Sequence, residues 1–86
     1  MKETPKEITD KIGQLFRLSK HLNFNSDYLV VFIFNHNEVY IRVNEELNLI
    51  PIIEETINNF ESNPSGKILQ LKRLANRLTT LKNEKK

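Results

Sequence analysis

The sequence predicts a single small α+β domain in the order α-β-β-α-α, with an antiparallel β-hairpin packed on helices. Three observations carry that expectation. Segments toward both ends repeat apolar residues at steps of three and four, the period of an amphipathic helix. Two β-rich runs, 28–34 and 39–43, flank a polar link short enough to be a hairpin loop. The length of 86 residues allows one domain and no more. Its expected extent is 1–82, with a frayed basic tail at 83–86.

The first helix is expected to start at Thr4-Pro5-Lys6-Glu7. Thr4 caps, Pro5 suits the first helical position, and Glu7 completes a capping box. Ile8, Ile12, Leu15, Ser19 and Leu22 then form one stripe, with Phe16 beside it. Lys6, Asp10, Gln14, Arg17 and His21 fall on the opposite side. Gly13, inside the helix, costs about 1 kcal/mol against alanine. The turn chemistry of Asn23-Phe24-Asn25-Ser26-Asp27 ends the helix.

For the hairpin, a two-residue loop at His36-Asn37 sets Phe34 opposite Val39, Phe32 opposite Ile41 and Val30 opposite Val43. Asparagine tolerates the positive φ that such a loop demands. The register is sensible because all six side chains then share one apolar face. The second strand alternates, sending Glu38, Tyr40, Arg42 and Asn44 to the other face. The first strand does not alternate. Its other face carries Leu29, Val31 and Ile33.

A second helix is expected over 49–61, with Asn48 as its cap and Pro51 in its first turn. Leu49, Ile53, Thr56, Ile57 and Phe60 make its stripe. Ile50-Pro51-Ile52-Ile53 also reads as a short edge strand before a shorter helix. The loop at 62–66 leads to a last helix opened by Pro64 or Ser65. There Ile68, Leu71, Ala75 and Leu78 face the core, widened by Leu74 and Leu81, and Lys72, Arg73, Asn76 and Arg77 lie opposite.

The first strand raises the functional question. The run 28–34 holds no charge and no proline, and such an edge invites another chain. Three covers are open for Leu29, Val31 and Ile33: the protein's own helices on both faces of the hairpin, a second copy pairing strand to strand into a four-stranded sheet, or a different protein. Burying three such side chains is worth about 1.5–3 kcal/mol each, a large share of a small domain's ~5–15 kcal/mol. Symmetric dimers are the commonest soluble oligomers, so self-pairing leads the expectation. The chain also has no cysteine, which removes disulfides and the usual zinc sites as staples for a marginal core.

Charge is unevenly placed. Residues 1–63 hold six Lys/Arg against ten Asp/Glu, and residues 64–86 hold seven against one. The basic last helix makes nucleic-acid binding through Lys72, Arg73 and Arg77 the alternative reading. No helix-turn-helix, RNA-binding aromatic motif or long zipper accompanies it, and all five phenylalanines read as core or near-core. Acidic residues at 45, 46, 54, 55 and 61 offer the same cations a partner within the chain. Leu71, Leu74, Leu78 and Leu81 have heptad spacing for barely two heptads, too short for a coiled coil.

Nothing points to catalysis. Ser65-Gly66-Lys67 ends like a phosphate-binding loop, but Glu61 stands where that loop needs glycine, and Ile68 where it needs Ser or Thr. His21 and His36 are far apart, and the paired carboxylates Glu45/Glu46 and Glu54/Glu55 diverge as neighbours on a helix. No enzyme activity, cofactor or metal is expected. The N-terminus lacks an apolar signal segment, and no stretch approaches the ~20 residues of a membrane span. The expectation is therefore a cytoplasmic, non-enzymatic interaction or regulatory module. Its partner is itself or another protein, with no membrane contact.

Overall fold

The computed structural model describes residues 6–35 and 37–84. The elements are α1 (Lys6–Asn25), β1 (Tyr28–Asn35), β2 (Glu38–Glu45), β3 (Ile53–Asn58) and α2 (Pro64–Glu84). This is an α+β domain of two layers, with two helices on one face of a three-stranded antiparallel sheet ordered β1-β2-β3. Thr4, Pro5, His36, Lys85 and Lys86, on which parts of the capping, loop and tail expectations fall, lie outside the described residues.

The α1 stripe is the one its spacing gives. Ile8, Ile12, Leu15, Ser19 and Leu22 are its buried residues. In α2 the buried set is Leu71, Leu74, Ala75, Leu78 and Leu81. The two stripes pack on each other and on the inner face of the sheet, where Val30, Val39, Ile41, Val43, Ile53 and Ile57 point. The two helices run in the same direction, since Glu7 near the start of α1 meets Lys72 and, farther along, Arg17 and His21 lie beside Lys82. The hairpin has the expected register, with Phe34 opposite Val39, Phe32 opposite Ile41 and Val30 opposite Val43.

One element is corrected. The expected helix over 49–61 is absent, and Ile53–Asn58 is instead the strand β3, paired antiparallel with β2. The order is α-β-β-β-α. Ile53 and Ile57 are both buried, and a spacing of four fits one face of a helix and one face of a strand alike. β-branched residues lose rotamer freedom in a helix and suit a pleated surface. Three strands also give the sheet the width that a bare hairpin lacks. Asn48 does accept from a backbone N–H two residues on, that of Ile50, but as a loop turn rather than a helix cap. Leu49, expected in the stripe, is 94% exposed.

Asparagines organise the remaining joints. Asn37 holds the end of β3, its carbonyl accepting from Asn59 N–H and its Oδ1 from Phe60 N–H. Phe60 is thereby tucked into the core. Asn63, at a positive φ of 52°, caps α2 by accepting from Gly66 N–H at 3.3 Å, with Pro64 at the first helical position.

Candidate interaction surface

β1 is an edge strand, and both of its faces are incompletely covered. On the outer face Leu29 and Ile33 are 55% and 47% exposed, and Val31 is half-buried. These three residues lie together on the outer face, because both helices occupy the opposite face and, among the described residues, only the 47–51 connection borders the outer one. On the inner face Val30 is buried, Phe32 is partly buried, and Phe34 is 55% exposed. Phe34 and Phe24 therefore correct the expectation that every phenylalanine sits in or near the core. The cause at Phe34 is local: α1 presents Thr9, Ile12, Gly13 and Phe16 there, leaving a groove of about 490 Å³ floored by Phe32 and Phe34. Phe16 and Phe32 lie tilted with ring centroids 5.8 Å apart, and the Lys20 ammonium stands 5.4 Å from the Phe16 ring centre.

The backbone edge of β1 is only partly free. The Asn23 side chain acts as a surrogate strand for one residue. Its Oδ1 accepts from Val30 N–H at 2.7 Å and its Nδ2 donates to the Val30 carbonyl at 2.9 Å. Val30 thus aims its backbone groups away from β2. In an antiparallel ladder successive residues alternate direction, so Phe32 and Phe34 aim outward as well. The bond from Glu46 N–H to the Asp27 carbonyl fits the same alternation, since it places an odd-numbered position of this chain segment against the β2 side. Among the described residues the outward groups of Phe32 and Phe34 meet no protein partner, which leaves a two-residue open edge. The Asn23 cap was unreadable in the sequence, where Asn23 registered only as turn chemistry.

A second open feature adjoins the outer face. The connection between β2 and β3 carries Leu47 and Leu49, 97% and 94% exposed, and Leu47 holds a left-handed φ of 67°. For a leucine that conformation costs about 1–2 kcal/mol. With Leu29, Val31, Arg42 and Glu54 these residues border an open cradle of about 630 Å³. Its polar wall is ordered across strands. Arg42 stands opposite Glu54, and Tyr40 Oη donates to Glu54 Oε2 at 2.8 Å.

That hydrogen bond is the main reason the Tyr40 phenol titrates above its ordinary range, with desolvation and the Glu54 charge adding and Arg42 opposing. The fold favours protonated Tyr40. Its stabilising effect is therefore complete below the unfolded phenol's pKa and is lost as pH rises through the folded one. Glu54→Ala is expected to lower the Tyr40 titration toward the ordinary phenol value, read by NMR of the Tyr40 ring. An unmoved midpoint would contradict the assignment.

The alternative site is split by the structure. Lys72 reaches across to Glu7 on α1 at 3.8 Å, while Arg77 reaches Glu55 on β3 at 4.0 Å. Such exposed pairs are worth about 0–1 kcal/mol, yet they set two of the three cations on opposite flanks of α2. Arg73 is exposed between them. No helix among the described residues is long and apolar enough to cross a membrane. In comparisons with known proteins, no family model, no curated protein and no solved structure matches this chain.

Proposed function

We propose that this protein is a non-enzymatic protein–protein interaction module that assembles as a homodimer through β1. The observation that carries the reading is the state of that strand: an uncharged edge, open at Phe32 and Phe34, with half-exposed apolar side chains on both faces. Edges of this kind are normally blunted by charge, proline or cover, and here Ser26 accepts from Tyr28 N–H and Asn23 caps Val30, while Phe32 and Phe34 are left open among the described residues. Leu29, Val31 and Ile33 form the outer-face part of the contact. The second edge, β3, alternates and presents Glu54 and Thr56 outward, as a strand meant for water does. Binding of nucleic acid by Lys72, Arg73 and Arg77 is the weaker reading, because Glu7 and Glu55 already engage two of those cations.

Sedimentation over a wide concentration range tests the assembly. The mass is expected to rise from one chain to two, and Val31→Lys is expected to raise the dissociation constant at least about tenfold by setting a charge at an apolar contact. A wild-type chain that stays single at millimolar concentration would remove the proposal.

A further inference from the structure

We infer that the two copies pair in one register, with Ile33 facing its own counterpart on the two-fold axis. The inference rests on the homodimer reading above and adds to it a register and a set of contacts. A two-fold axis between antiparallel strands requires some residue to stand opposite itself, and side chains directly opposite then share a face. Centring on Val31 would set Val30 against Phe32 of the second copy, and centring on Phe32 would set Val30 against Phe34. Both need the backbone groups of Val30, which Asn23 already occupies at 2.7 and 2.9 Å. Centring on Ile33 sets Phe32 against Phe34 and Phe34 against Phe32. The two free residues of each edge then satisfy each other, and Asn23 keeps Val30.

The side chains agree with this register. On the inner face it gathers Phe32 and Phe34 of both copies over the axis, and Phe16 closes the groove from each side. On the outer face Ile33 meets Ile33 at the axis, with Val31 opposite Asn35 on either side of it. No charge opposes a like charge, because β1 carries none. Over the groove α1 presents Gly13 beside Phe16. Arg17 lies over Gly13, with its Nη1 3.4 Å from where a Cβ would stand. Asp10, two turns before Arg17 on the same side of α1, has the opposite sign, so antiparallel helices across the axis bring Asp10 toward Arg17 of the second copy. The exposed parts of Phe16, Ile33 and Phe34 in two copies amount to roughly 600 Å², below the ~1,000 Å² of a stable specific interface, so a weak dimer that dissociates on dilution is expected.

The chain has no native cysteine, so single thiols report the register. Opposed Ile33 residues form a non-hydrogen-bonded pair, with Cα atoms about 4.5 Å apart, within the range a disulfide spans. Ile33→Cys is expected to oxidise to a covalent dimer, and Val31→Cys alone is not. A mixture of Val31→Cys with Asn35→Cys should cross-link only as the heterodimer. Both 31 and 33 lie on the outer face, and circular dichroism checks that each variant is folded. If sedimentation gives a dimer but Val31→Cys cross-links to itself instead, the register is overturned and the homodimer reading stands. If sedimentation of the wild type gives no dimer, both fail.

Discussion

Proline at Glu55 is expected to unfold the domain, whereas proline at the next residue, Thr56, is expected to leave it folded. β2 and β3 pair with Ile41 opposite Glu55 and Tyr40 opposite Thr56. The bond from Asn59 N–H to the Asn37 carbonyl fixes which residues face inward along this ladder. By alternation Glu55 exchanges backbone hydrogen bonds with Ile41, and the N–H of Thr56 points off the sheet edge. Proline at 55 removes a ladder donor, orphans the Ile41 carbonyl in the core and drives its ring into β2. The expected loss is about 3 kcal/mol or more. Proline at 56 removes an N–H that faces water, and edge strands accept it there. The extended conformation it demands of Glu55 is already that of a strand. Its expected cost is about 1 kcal/mol. Urea denaturation of both variants, with Glu55→Ala as control for the Arg77 ion pair, reads the difference. Equal damage at the two positions would mean a helix there, since a helix interior rejects proline at either.

This pair of substitutions addresses the element that sequence reasoning misassigned. The ambiguity was physical. Ile53 and Ile57 satisfy both periods, and Asn48 and Pro51 imitate a helix start while serving a loop. The deciding information was non-local: Arg42 opposite Glu54, Tyr40 bonded to Glu54, and Asn37 gripping residues 59 and 60. No window of local sequence contains both partners of any of these contacts. The hairpin register, by contrast, was legible because loop length and a shared apolar face specify the same pairing. The apolar outer face of β1 was legible from failed alternation alone. Its free backbone length was not, because that depends on Asn23 folding back seven residues to Val30.

The second large effect separates core from contact surface. Ile41 is at the centre of the middle strand and is fully buried among residues of all five elements' core. Ile41→Ala is expected to cost about 2–5 kcal/mol, because the fixed helices cannot close on the missing volume. A domain of this length holds only about 4–13 kcal/mol in total, so the variant should lose much of its urea midpoint at an unchanged slope. The loss should be nearly the same at any protein concentration. Ile33→Ala removes the same atoms from a side chain that is 47% exposed in the single chain. If β1 meets a second copy, dissociation and unfolding are linked, and stability rises with protein concentration. Ile33→Ala should then leave dilute protein within about 1 kcal/mol of wild type while lowering the midpoint of concentrated protein. A midpoint that falls equally at both concentrations would make Ile33 a core residue of one chain, and would leave the apolar edge of β1 without a role in assembly.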